Sequence, residues 1–154
     1  MGLKHLFKAK ASWLLNRKDD TIKTYSRSHT IAIEGKPLLN VSAAKAFKGD
    51  AALYNPEDML LAGLVSCHMM SYLYVCAQSG IEVLSYSDDA VATLEVEADG
   101  SGRFTEVILN PKVKIAQTDK IEEALALHTK ANQLCFIANS CNFPIRHNAV
   151  CESK

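Results

Sequence analysis

From Phe7 to Leu15 the odd positions carry Phe7, Ala9, Ala11, Trp13 and Leu15, with Lys8, Lys10 and Ser12 between them. That period of two predicts a half-buried strand. Arg17-Lys18-Asp19-Asp20 turns it, Thr21 to Ile33 predicts a second strand, Glu34-Gly35 its turn, and Lys36 to Val41 a third. Ala43 to Tyr54 reads as a loop, and Asn55-Pro56-Glu57-Asp58 carries the chemistry of a helix start. Asn55 can cap, Pro56 suits the first helical position, and two carboxylates meet the positive end of the dipole. Met59 to Ala77 is apolar on every face apart from Gly63, Ser66, His68 and Ser71, which predicts a helix buried all round and stopped by Ser79-Gly80.

Alternation returns from Val91 to Ala98, turns at Asp99-Gly100-Ser101-Gly102, and runs back from Arg103 to Ile115. Asp119 with Glu122 three residues later resembles a capping box for a second helix. Its stripe is Ile121, Ala124, Leu125, His128, Ala131, Cys135 and Ala138, which points Cys135 at the core. Phe143 to Cys151 predicts a last strand. The order βββ-α-ββ-α-β is α+β, a single domain over 1–154 with two long helices on a mostly antiparallel sheet of about six strands. One such sheet and one helix leave part of an all-apolar helix uncovered, so a homodimer that buries the remainder is expected.

Composition narrows the partners. Seventeen Lys and Arg balance seventeen Asp and Glu, with pI ≈ 6.9, so the charge footprint of a nucleic-acid or anionic-membrane binder is missing. The apolar run approaches the ~20 residues of a membrane span. No Lys or Arg flanks it and its N-terminal flank is acidic, so a buried core helix is the expectation. Five Cys make an odd count, and MGLKHLFKAK lacks the apolar core of a secretory signal, which points to a reducing cytoplasm. Phosphate-cradling glycine motifs and the spacings HxxxH and CxxC are missing, so neither a nucleotide cofactor nor a metal is expected.

The remaining chemistry lies in thiols. A Cys in a core helix is ordinarily a small buried hydrophobe, and Cys76 fits that description. Cys67 lies nine positions earlier, on roughly the opposite side of the cylinder, between Ser66 and His68. A thiol with an unperturbed pKa of ~8.5 needs a neighbouring cation to ionise at neutral pH. Arg27 shares the inward phase of the second strand with Tyr25, His29, Ile31 and Ile33, and a guanidinium facing a core requires an anion, for which Glu57 and a Cys67 thiolate both qualify. Adjacent helical residues point about 100° apart, so His68 is a structural interior residue or a dimer contact rather than the proton acceptor of Cys67.

Asn55-Pro56-Glu57-Asp58-Met59-Leu60-Leu61-Ala62 with Ser66-Cys67-His68, and later Cys135-Phe136-Ile137-Ala138-Asn139-Ser140 before Asn142-Phe143-Pro144, resemble the two signature blocks of the OsmC/Ohr family of osmotically induced and organic-hydroperoxide-resistance proteins. The resemblance covers nearly the whole chain. It implies an intertwined homodimer with two sites at the subunit interface, and a thiol peroxidase that reduces organic hydroperoxides without a cofactor. It makes Cys67 the peroxidatic Cys, Cys135 the resolving Cys, and Glu57 the carboxylate that orients an activating Arg. Arg27 is the nearest match to that Arg, and Lys45 precedes the position, Ala46, where the other branch carries its Arg. Phe136 replaces the Pro that often follows the second Cys, and Cys141 is an extra thiol. A helix continued that far projects Cys135 and Cys141 some 120° apart, and Cys135 holds the apolar stripe. The reductant implied is an external dithiol such as a dihydrolipoyl protein. The alternative is a dimeric small-ligand-binding or redox-sensing protein of the same fold without turnover.

Overall fold

The structure, a computed structural model, describes residues 2–15 and 25–154. The chain divides into two compact units, Met1–Met59 and Leu60–Lys154.

In the first unit β1 (Lys10–Ser12), β2 (His29–Ala32) and β3 (Leu39–Val41) form an antiparallel sheet in that order. All three strands are shorter than the alternation predicts, and the Arg17 to Asp20 turn with the start of the second strand lies outside the described residues. Arg27 therefore precedes β2 rather than lying within it. The Glu34-Gly35 turn forms as expected, with Gly35 at φ 74° and the Lys36 N–H donating to the Ile33 carbonyl at 3.0 Å. Beyond β3 the loop includes a 3-10 turn at Lys45–Phe47, and the Ser42 N–H donates to the Tyr54 carbonyl at 2.8 Å. Gly49 packs so closely on the Ala43 carbonyl that any Cβ there would collide with it. Helix α1 (Pro56–Gln78) starts where the sequence places it. Asn55 Oδ1 accepts from the Asp58 N–H at 2.8 Å, and Asp58 Oδ2 accepts in return from the Asn55 N–H at 3.3 Å.

The second unit holds six strands where the alternation predicts three. They are β4 (Val83–Asp88), β5 (Val91–Val96), β6 (Gly102–Leu109), β7 (Pro111–Ile115), β8 (Ile145–His147) and β9 (Val150–Ser153). They build two sheets, β4-β7-β9 and β5-β6-β8. In each the first pair is antiparallel and the second parallel, with Val107 opposite Ile145 in one and Lys112 opposite Val150 in the other. Asn110 is the corner at which the strand predicted from Arg103 to Ile115 leaves one sheet for the other. Its N–H donates to Asp88 Oδ1 at 2.7 Å, and at the matching corner the Asn148 N–H donates to the Leu109 carbonyl at 2.8 Å.

Helix α2 (Ile121–Leu134) follows a 3-10 turn at Thr118–Lys120. The expected Asp119 capping box does not form, because that turn places Lys120 at the cap position, where no side chain bonds the first N–H groups. The helix also ends sooner than its stripe suggests. Cys135 breaks it with φ −73° and ψ 109°, and a single turn, α3 (Phe136–Asn139), restarts beyond.

Two apolar clusters fill this unit. One joins Tyr72, Val75 and Cys76 of α1 to Ala124 and Ala131 of α2 and to Ile115 of β7. The other gathers Leu64, Val107, Leu109 and Cys135, with Cys67 packed against it. Cys67 and Cys76 thus serve opposite clusters, as their spacing requires. The expectation that α1 is buried all round fails within one chain: Leu64, His68, Tyr72, Val75 and Cys76 are buried, whereas Met70 and Tyr74 are each 60% exposed. By length and composition α1 could cross a bilayer, yet the face it buries carries His68 and Tyr72, which pair with groups of α2.

Candidate active site

Two features line up with the residues singled out from the sequence, one in each unit. In the second, α1 carries Cys67 and the α2–α3 break carries Cys135, 68 positions later. The two thiols lie within hydrogen-bonding reach, with Cys135 fully buried and Cys67 partly so. Burial, then the neighbouring Cys67 sulfur, push the Cys135 thiol well above its ordinary pKa, so at neutral pH it is an S–H that can donate to Cys67. Its sulfur also accepts from the Ala138 N–H at 3.4 Å and caps α3. A thiol that breaks one helix and starts another is held by backbone on both sides.

Cys67 opens into a cavity of about 360 Å3 lined by Met70, Ser71, Tyr74, Leu134 and Phe136. Phe136 is 82% exposed and supplies an aromatic wall. Cys141 follows α3, half-buried and outside this cavity.

In the first unit a cavity of about 560 Å3 is bordered by Trp13, Tyr25, Arg27, His29, Phe47 and Glu57, among others. Arg27 and Glu57 thus meet at one pocket, as the sequence suggests, but they do not bond to each other. The guanidinium sits 4.9 Å above the Tyr25 ring, and Glu57 Oε2 is buried with no hydrogen-bond partner among the described residues. A buried carboxylate oxygen left bare costs free energy until a donor reaches it. Trp13 Nε1–H donates to the Ser26 carbonyl at 2.7 Å, and His29 Nδ1 lies 2.9 Å from the Arg27 carbonyl, which together hold the segment carrying Arg27. Lys45, the alternative cation, begins the 3-10 turn as an exposed residue outside the pocket lining.

Two neighbouring thiols beside an apolar cavity, on an α+β scaffold with one long core helix, define the class of fold. The chain matches the family model described as OsmC-like protein over residues 49–149, and it belongs to that family. It is 26% identical over 140 residues to YmaD, an uncharacterized protein of Bacillus subtilis, covering 88% of this chain and 86% of that one. An OsmC-like protein of unknown function from Vibrio cholerae superposes with a TM-score of 0.86 at 29% identity, covering 96% of this chain and all of that one. An organic hydroperoxide resistance protein from Elizabethkingia anophelis shares the fold with a TM-score of 0.70 at 18% identity, each chain covered in full.

Proposed function

We propose that the protein is a cytoplasmic thiol peroxidase that reduces organic hydroperoxides through Cys67 and Cys135. One observation carries the reading: two cysteines 68 positions apart come together, the buried one kept as a thiol and the partly accessible one lining an apolar cavity. The Cys67 thiolate attacks the distal peroxide oxygen. The O–O bond breaks, the alkoxide leaves and takes a proton to become an alcohol, and Cys67 is left as sulfenic acid. Cys135 sulfur then attacks the Cys67 sulfur, water departs, and a disulfide remains for an external dithiol, such as a dihydrolipoyl protein, to reduce. In this reading Arg27 supplies the positive charge that favours the thiolate, Glu57 on the same pocket is the carboxylate available to orient it, and a homodimer completes the two sites.

Mass spectrometry before and after one equivalent of an organic hydroperoxide tests this. The expected product is a Cys67–Cys135 linked peptide with loss of two hydrogens, and steady consumption of a dithiol when peroxide is in excess. The size and aromatic lining of the Arg27 cavity favour a second reading, a dimeric binder or redox sensor without turnover. Such a protein would consume no dithiol.

A further inference from the structure

Three histidines from three elements meet in the interior of the second unit, outside the thiol chemistry described above. His68 of α1 and His128 of α2 are wholly buried, with ring centroids 5.4 Å apart and planes within 9° of parallel. His68 Nε2 lies 3.1 Å from His128 Nδ1, one ring donating and the other accepting. His147 of β8 sits 5.8 Å from both. Tyr72 stacks on His128 at 3.9 Å, and its hydroxyl donates to the Ala124 carbonyl at 3.1 Å, a second bond from α1 to α2. Among the described residues the outer nitrogens, His68 Nδ1 and His128 Nε2, are buried without partners, as is His147 Nδ1.

The place of this cluster along the chain gives it a consequence. His68 directly follows Cys67, and His128 lies seven residues, about 10 Å of helix, before Cys135. Cys67 and His68 point to different sides of α1, one toward the thiol cluster and the other toward α2. We propose that the His68–His128 contact is a proton-operated latch: two neutral imidazoles hold α1 in register with α2 so that Cys67 meets Cys135, and acidification releases them. The inference rests on the thiol-pair reading above.

The surroundings supply nothing to balance a charge on these rings. From α1 they face Tyr72, from β8 His147, and from α2 each other. Tyr86 of β4 tilts against Tyr72 at 5.9 Å and spends its hydroxyl on Asp88 at 3.2 Å, while Cys76 and Cys151 act on Tyr72 alone among these rings. Among the described residues no carboxylate acts on the three imidazoles. Desolvation by burial, then the neighbouring imidazoles, push His68 down to about 4 and His128 to about 3, and burial lowers His147 as well. A first proton leaves an imidazolium whose outer N–H finds no acceptor. A second turns the 3.1 Å contact into two donors facing each other.

The test separates the latch from peroxide chemistry by using diamide, which oxidises two thiols to a disulfide with its own reduction to the hydrazine. The rate of Cys67–Cys135 linkage is followed by differential alkylation and mass spectrometry from pH 8 to pH 5 in the wild type, His68→Gln and His128→Asn. The amides replace Nε2 and Nδ1 as hydrogen-bonding groups but do not titrate. The fall in thiolate is common to all three proteins, so the ratio of pH 5 to pH 8 rates isolates the latch. That ratio should be at least about tenfold higher in each variant than in the wild type, because a histidine released toward its ordinary 6.5 takes up a proton that favours the open latch about thirtyfold at pH 5. Equal ratios in all three proteins overturn the latch. Linkage by diamide with no linkage by hydroperoxide overturns the peroxidase reading and leaves the latch standing. Should the variants not fold, hydrogen exchange of the wild type decides. After correction for intrinsic rates, extra exchange over 121–134 at pH 5 supports the latch, and unchanged protection overturns it.

Discussion

Replacing Cys135 by Ala tests whether its structural duty matches its place in the fold. The substitution deletes a sulfur that caps α3 through the 3.4 Å bond from Ala138 and packs against Leu64, Val107 and Leu109. Loss of a side-chain cap costs typically ~1 kcal/mol, with sulfur, a weak acceptor, toward the low end of the range. The emptied space adds a transfer and cavity cost of about 1 kcal/mol for an atom the size of a methylene. The sum is about 1.5–2 kcal/mol, or a Tm lower by about 3–8 °C for a chain of this length. Cys135→Ser restores a stronger cap acceptor and most of the volume, while its O–H can donate to Cys67, so it should lose less than about 1 kcal/mol. Urea denaturation of the reduced proteins, with the slope checked for constancy, reads both values. An alanine variant as stable as wild type, or a serine variant less stable than alanine, would refute the capping role. The ordering also decides how the resolving role is tested, since only Ser removes the thiol without loosening α3.

Cys67→Ser should abolish dithiol-linked peroxide turnover while leaving the urea midpoint within experimental scatter, and full turnover would rule out the assignment. Arg27→Ala should slow iodoacetamide labelling of Cys67 at neutral pH; unchanged labelling would move attention to Lys45. Bulky alkyl hydroperoxides should exceed hydrogen peroxide in kcat/KM, by roughly fourfold for each methylene buried if each contributes ~0.8 kcal/mol, and comparable values would deny an apolar substrate cavity. His68 and His128 have folded pKa values of about 4 and about 3, below an unfolded value of 6.5, so the unfolded chain binds more protons between these limits. Their contribution is complete above pH 6.5 and fades as pH falls, by about 2 kcal/mol per histidine at pH 5. Urea midpoints that stay flat from pH 8 to pH 5 would contradict it.

What the sequence discloses follows the range over which each signal acts. The α1 start is legible because Asn55 and Asp58 satisfy each other within four residues. The corner at Asn110 is not, since Val107, Leu109, Pro111, Val113 and Ile115 are all buried in one unbroken phase and only the partner strand changes. Strand β4 escapes notice because a bulge between Val83 and Ser85 breaks its period. The stripe of α2 correctly turns Cys135 inward, yet neither Gly nor Pro marks the break there. The pairing of Cys135 with Cys67 came from resemblance alone, as no local pattern links positions 68 residues apart. The histidine cluster draws one residue from each of three elements, which leaves no spacing to read.

The two parallel pairings impose an order of events on folding. Val107 meets Ile145 and Lys112 meets Val150, so both are closed by loops of 38 residues that contain the whole of α2. During synthesis each sheet of the second unit waits as an antiparallel pair, with the far edge of β6 or β7 unpaired, until β8 and β9 leave the ribosome. Closing such loops is entropically slow, and an open edge is a template for wrong partners. The short ribbon of β8 and β9 therefore acts as a common zip: removing it by truncation would strip a strand from both sheets at once, and a nascent chain stalled before Ile145 should be the species that aggregates.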